Sequence, residues 1–151
     1  KRTTEQRCRT LLENTPGEKP FALLLLDVDN FKQTNDRYGH PKGDAVLRCL
    51  GENLSGLFRR DDVVGRVGGD EFLMMMPGAG GEQAVGRAQK IAQEMCRSVS
   101  VQCGVDVSGS IGVVLSKPGA CAYEELLRRA DSALYAAKAA GKGCYRVYGG
   151  A

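Results

Sequence analysis

The sequence has no tryptophan and a single histidine, and none of its six cysteines falls in a C-x-x-C pair. With one histidine, His40, and thiols scattered at Cys8, Cys49, Cys96, Cys103, Cys121 and Cys144, no soft ligand set for a structural zinc is spelled out. The same scatter reads as reduced thiols in a cytoplasmic protein rather than as a disulfide framework. Long apolar runs are missing too. The longest, Phe21 to Leu26, falls far short of the roughly 20 residues that span a bilayer, and the N-terminus shows no signal-peptide pattern. Charge of one sign is scarce: 21 Lys+Arg stand against 18 Asp+Glu, a net +3. No basic run marks a nucleic-acid arm or a polybasic membrane patch, so neither partner is expected for this domain. At 151 residues the chain accommodates one soluble domain with one core and no second domain of ordinary size.

The patterns that are present alternate between strand and helix. Lys1 to Asn14 predicts a short helix stopped by Pro16-Gly17. Phe21 to Leu26 is a continuous apolar run bounded by turn residues, which predicts a central strand buried on both faces and closing at Asp27. A short helix follows to Tyr38, a break at Gly39-His40-Pro41, and a second helix from Lys42 to Phe58, whose Leu47, Leu50, Leu54 and Leu57 share one face. Asp62 to Val67 and Phe72 to Met76 flank Gly68-Gly69, a hairpin signal. Gly78 to Gly81 reads as a loop, Glu82 to Ser98 as a helix, and Val101 to Leu115 as an alternating strand with a bend at Ser108-Gly109. Ala122 to Ala140 predicts the last long helix, stopped by Gly141, and Cys144 to Tyr148 a closing strand.

Two pairs of acidic residues carry the chemistry. Asp27-Val28-Asp29 ends the buried strand, and Asp70-Glu71 follows the glycine turn. If their strands are neighbours, up to four carboxylates meet at one sheet edge and repel unless a hard cation neutralises them. Mg²⁺, held by a few carboxylates and substrate phosphate, suits such a site, and phosphoryl or nucleotidyl transfer is the chemistry it performs. The plainer alternative is that acidic residues at strand ends and turns are solvated.

Larger motifs decide between these readings. Gly68-Gly69-Asp70-Glu71-Phe72 is the five-residue signature of the GGDEF family of diguanylate cyclases. Asp27 to Asp44 resembles that family's D-x-D-x-F-K-x-x-N-D-x-x-G-H-x-x-G-D segment. Ser110-Ile111-Gly112 resembles its S-I-G strand, and Ala130 to Lys138 its A-D-x-A-L-Y-x-A-K helix. The resemblance covers roughly residues 21 to 148, in the family's order and spacing. It implies an α/β fold in which a central mixed β-sheet is flanked by helices and a hairpin carries the signature, similar to the palm of nucleotidyl cyclases and polymerases.

The resemblance implies an enzyme, a nucleotidyltransferase that condenses two GTP molecules into cyclic di-GMP. Metal ligands carry over to Asp27, the Val28 backbone and Asp70, with Glu71 in reach, for Mg²⁺ or Mn²⁺. Asp70 is also the family's candidate base for the attacking 3′-hydroxyl, and Glu71 shares the catalytic turn. Guanine readers match Asn35 and Asp44: a carboxylate accepts from guanine N1 and N2, which adenine cannot offer. His40 is a further candidate contact for the nucleotide, with packing in the Gly39-His40-Pro41 break as the alternative account. Phosphate contacts match Lys32, the backbone at Asn30, Phe31 and Lys32, the close approach allowed at Gly68 and Gly69, and the lysines Lys138 and Lys142, spaced i, i+4 on one side of a helix end. Lys142-Gly143 departs from the family's Arg or Lys followed by Asn, which implies a weaker grip.

Arg59-Arg60-Asp61-Asp62 matches the family's R-x-x-D inhibitory site for cyclic di-GMP, through Arg59 and Asp62, with Lys90 as a further basic contact. Each domain holds one GTP, so catalysis implies a homodimer. Family domains begin with a D-x-L-T-x-L-x-N-R-R segment, of which Lys1-Arg2 resembles the end. The chain is accordingly expected to be one domain, 1–151, of a larger protein with an upstream regulatory module and, in the intact protein, a possible upstream membrane anchor. A domain that binds cyclic di-GMP or GTP without catalysis is the alternative, disfavoured by the intact signature. Synthesis of a mixed guanine and adenine dinucleotide is disfavoured by Asp44.

Overall fold

A computed structural model describes residues 2–15 and 17–149. Lys1 and Pro16, on which the expected start and stop of the first helix fell, lie outside the described residues. The elements run α1 (Arg2–Asn14), β1 (Phe21–Val28), α2 (Phe31–Tyr38), α3 (His40–Leu57), β2 (Val63–Arg66), β3 (Glu71–Pro77), α4 (Gly81–Lys90), a π turn (Ile91–Met95), α5 (Cys96–Cys103), β4 (Gly109–Ser116), α6 (Tyr123–Ala139) and β5 (Tyr145–Val147).

The five strands form one mixed sheet in the order β2-β3-β1-β4-β5. β1 pairs antiparallel with β3 and β4, and only β4 and β5 are parallel. All eight residues of β1 are buried, as expected of a central strand covered on both faces. Strand alternation divides the core in two. Leu24, Leu26, Phe72, Met74, Ile111 and Val113 face α3, α4 and α5. Phe21, Leu23, Leu25, Leu73, Met75 and Val114 face α1 and α6.

Gly112, on that second face, lies directly under α6: a Cβ there would stand 2.2 Å from the Ala130 carbonyl oxygen and 2.5 Å from the Leu134 amide nitrogen. The glycine lets helix and strand backbones touch.

Two boundaries differ from expectation. Val101 to Cys103 extend α5 instead of opening a strand, and β4 starts only at Gly109. The alternation of Val101, Cys103, Val105 and Val107 mimics a strand, but Cys96, Val99 and Cys103 also share a helical face. The left-handed Gly104 (φ 73°) then closes the helix, its N–H on the Ser100 carbonyl at 2.9 Å. Likewise only Gly39 (φ 89°) separates α2 from α3. His40 and Pro41 open α3 rather than precede it, because proline's missing N–H costs nothing in a first turn.

Candidate active site at the edge of the sheet

The register puts Asp27 opposite Glu71 on one side and Ser110 on the other. The turn between β2 and β3 is tied to β1 by Val28 N–H donating to the Asp70 carbonyl, 3.1 Å. The two distant acidic stretches therefore do meet at one sheet edge. Asp27 is only 8% exposed, and its Oδ1 is buried with no hydrogen-bond partner among the described residues. Its Oδ2 accepts a hydrogen bond from Lys138 Nζ, at the end of α6. Burial, opposed by the pull of Lys138 and reinforced by the adjoining Asp70 side chain, raises the Asp27 pKa to about 6. Burial works to lower the Lys138 pKa, but the hydrogen bond to Asp27 and the charges of Asp27, Asp29 and Asp70 outweigh it and hold the ammonium above its ordinary value.

The other two carboxylates are placed differently. Asp29 turns inward, 5% exposed, accepting from Ser108 Oγ (2.7 Å), Ser110 Oγ (2.6 Å) and Gly143 N–H (2.9 Å). It bolts the end of β1 to β4 and to the turn after α6, so the expected meeting of up to four carboxylates is corrected: Asp29 is not among them. Glu71 leans back over its own turn, where a Cβ on Gly68 would lie 2.9 Å from Glu71 Oε1. Among the described residues no three His, Cys, Asp or Glu side chains close into a metal cluster. What remains is the pair Asp27 and Asp70 beside the Val28 backbone. An orphaned buried carboxylate oxygen next to a second carboxylate fits a small hard cation that takes its other oxygens from water and substrate phosphate, as Mg²⁺ does.

Asn30, left-handed at φ 55°, turns the chain from β1 into α2. The first amides of α2, beginning at Phe31 and Lys32, lack partners within the helix and follow directly on the turn that leaves β1. Lys32 is exposed, whereas Phe31 is half-buried and packs on the core. Lys142 is not on the helix: α6 ends at Ala139, and Lys142 has φ 65°. The expected i, i+4 alignment with Lys138 is thereby corrected. Both lysines nevertheless converge on the end of β1, Lys138 on Asp27 within the strand and Lys142 on the turn that follows, where its Nζ donates to Asn30 Oδ1 at 2.7 Å.

Asn35 lies on α2 with its Oδ1 buried and without a partner among the described residues. It sits over Gly43, where a Cβ would approach Oδ1 to 1.8 Å. Asp44, the next residue, is exposed and lines a cavity of about 820 Å³ with Arg48, Gly51, Arg66 and Phe72. The structure thus sets Asn35 beside Gly43, the residue preceding Asp44. His40 is exposed at the start of α3. In the signature turn, Gly69 has open space around its Cα and Gly68 is hemmed in by Glu71.

At the far end of β3, Arg59 and Asp62 line a separate small cavity with Met76, Gln83 and Arg87. Asp62 Oδ2 accepts from the Arg59 N–H at 2.8 Å, and burial raises the Asp62 pKa against that bond. Lys90 does not line this cavity. Its place is taken by Arg87, one helical turn earlier, which stacks on Phe58 and donates to the Leu57 carbonyl at 2.9 Å. Arg87 escaped the sequence reading because a helix carrying both Arg87 and Lys90 does not say which one faces the cavity. Among the described residues no helix is long and apolar enough to cross a membrane.

Comparison with known proteins converges on one family. The family model described as "Diguanylate cyclase, GGDEF domain" matches residues 1–144. The diguanylate cyclase TpbB of Pseudomonas aeruginosa is 37% identical over 142 residues, covering 92% of this chain and 33% of that protein. The chain spans about a third of the length of the curated relatives it matches. The GGDEF domain of DgcB from Caulobacter crescentus, solved in complex with c-di-GMP, superposes with a TM-score of 0.81 at 26% identity, covering 99% of this chain and 88% of that one. The active GGEEF domain of a diguanylate cyclase from Vibrio cholerae gives 0.79 at 29% identity, with 97% and 90% covered. By sequence, by fold and by the residues gathered at its sheet edge, this chain belongs to the GGDEF-domain family.

Proposed function

We propose that the chain is a diguanylate cyclase domain that joins two GTP molecules into cyclic di-GMP and releases two pyrophosphates. The observation that carries this reading is the unpartnered buried oxygen of Asp27, beside Asp70 and opposite a lysine that can turn to phosphate. In this reading Mg²⁺ or Mn²⁺, held by Asp27, the Val28 carbonyl and Asp70 with Glu71 nearby, neutralises charge developing on the phosphates when bound. Asn35 and Asp44 accept and donate along the guanine edge. The α2 amides, Lys32, Lys138 and Lys142 hold the triphosphate, leaving its α-phosphate at the open edge. A 3′-hydroxyl from a second GTP attacks that phosphorus in line, its proton passes to Asp70 or water, and the pyrophosphate oxygen departs. Repeating the step in the opposite sense closes the ring. Each chain offers one such edge, so two copies meet face to face, and positioning supplies much of the rate.

Arg59, Asp62 and Arg87 are the groups for a product-inhibition site, since arginine forks and a carboxylate suit a guanine edge and phosphodiester. The complexes of related domains with c-di-GMP support that reading.

Incubation with GTP and Mg²⁺ followed by chromatography of the products tests the proposal. Cyclic di-GMP is expected from the native chain and not from Asp70→Ala. Turnover per chain is expected to rise with protein concentration, and Arg59→Ala to relieve inhibition by added product. Undiminished synthesis by Asp70→Ala overturns the catalytic assignment.

A further inference from the structure

A pair of thiols outside the nucleotide site meets where α3 packs against α5. Cys49 lies in the middle of α3 and Cys103 ends α5; both are half-buried and packed on the edge of the core. Cys49 Sγ donates to Gln102 Oε1 at 2.9 Å, and Asn53 Nδ2 reaches the same sulfur at 3.5 Å. The Cys103 thiol adjoins Cys49 closely enough to act on its titration, and Gln102, the bonded partner of Cys49 Sγ, is its neighbour in the chain. Lys42 Nζ donates to the Cys103 carbonyl at 2.9 Å, which holds the end of α5 against α3. The remaining cysteines offer nothing comparable. Cys8 and Cys96 are buried, with pKa values pushed up to about 11 by burial. Cys144 Sγ donates to the Ala137 carbonyl at 3.3 Å, and Cys121 packs on the opposite face of the sheet.

We propose that Cys49 and Cys103 are a redox-modification site that reacts with a small-molecule disulfide and closes into a bridge between α3 and α5. One thiolate attacks a sulfur of the small disulfide, forming a mixed disulfide and expelling one small thiolate. The second cysteine, deprotonated, attacks the protein sulfur of that mixed disulfide and expels the other. Two protein thiols and one small disulfide become one protein disulfide and two small thiols, so electrons balance, and the protons lost by the cysteines are taken up by the departing thiolates. Burial, and next the adjoining Cys103 thiol, raise the Cys49 pKa, so the exchange accelerates as pH rises. The bridge ties α3, which carries Asp44, to α5 and closes the chain segment containing β2, β3 and α4.

The test treats the folded chain with glutathione disulfide, quenches with iodoacetamide without reductant, and maps peptides by mass spectrometry. A linked Cys49–Cys103 peptide pair is expected, with two of the six thiols lost to alkylation and both recovered by dithiothreitol. Cys49→Ser and Cys103→Ser are each expected to stop at a glutathione adduct on the remaining partner, and Cys121→Ser to bridge as the native chain does. Separate alkylation of Cys49 and Cys103, stable glutathione adducts on both, or a bridge between other cysteines overturns the proposal. The native peptide map decides it even if a serine variant fails to fold.

Discussion

Replacing Gly112 with alanine is expected to lever α6 away from the sheet. The added Cβ would stand 2.2 Å from the Ala130 oxygen, 2.5 Å from the Leu134 nitrogen and 3.1 Å from its Cα, where ordinary contact begins at 3.4 Å. These are backbone atoms, which cannot rotate aside as a side chain would, so the helix must retreat by roughly 1 Å. Overpacking of this kind costs about 1–3 kcal/mol, and a backbone clash belongs at the upper end. Ala130 and Leu134 are 0% and 4% exposed, so the retreat also opens the core beneath them. With a urea slope of about 1–3 kcal/mol per molar for a small domain, the unfolding midpoint is expected to fall by roughly 1–2 M. The assay is urea unfolding followed by far-UV circular dichroism. Gly56→Ala serves as the control: it lies on the exposed side of α3 with nothing within 4 Å of an added Cβ. It should gain about 0.5–1 kcal/mol from the stiffer unfolded chain and better helix propensity. Because Lys138 stands one turn beyond Leu134, the retreat also draws its ammonium from Asp27, and nucleotide turnover should fall in native buffer. A Gly112→Ala midpoint equal to that of the native chain would refute close contact between α6 and β4.

Other perturbations probe the site itself. Burial raises Asp27 from 3.8 to about 6, so the folded chain binds this proton more tightly than the unfolded one. The group's contribution is fully present below about pH 4 and is lost as pH rises through about 6, by at most about 3 kcal/mol. Without divalent ions, Asp27→Asn should therefore be more stable than the native chain above pH 6, with the gap closing toward pH 4; a gap independent of pH counts against the buried charge. Asp29→Ala strands Ser108 and Ser110 and cuts the tie to Gly143, and a loss of about 3–5 kcal/mol is expected in urea unfolding. A loss below about 1 kcal/mol would mean that Asp29 is not the bolt described. Gly43→Ala displaces the Asn35 amide, the mobile end of a side chain, and should raise the apparent KM for GTP about tenfold with little change in unfolding midpoint. Unchanged KM would remove Asn35 from guanine recognition.

Much of the fold was legible because its signals are local. An apolar run bounded by turn residues gave β1, and a leucine stripe gave α3. The glycine pair located the hairpin, although space at Gly68, rather than a left-handed backbone, is what that turn requires. Val101 to Val107 misled because alternation over so short a span satisfies strand and helix templates alike, and only the packing of Cys96, Val99 and Cys103 settles it. The π turn at Ile91–Met95 has no signature in side-chain identity. Within the site, residue types foretold the chemistry but not the pairings. Asp27 and Asp29 differ by two positions in a strand that ends between them, so one stays on the α6 face while the other swings into the loop, a divergence fixed by Ser108 and Ser110 far along the chain. Lys138 and Lys142 likewise looked equivalent by spacing until the helix stopped between them.

β3 begins at Glu71 and ends at Pro77, beside the Arg59 and Asp62 cavity. At about 3.3 Å per residue its two ends lie roughly 20 Å apart. A small molecule lodged at the Pro77 end is therefore out of touching distance of the Asp70 end of its own chain. Such an occupant can act on the chemistry only from afar, either by stiffening the strand between them or by pinning a neighbouring molecule in an orientation that keeps two reacting edges from facing each other.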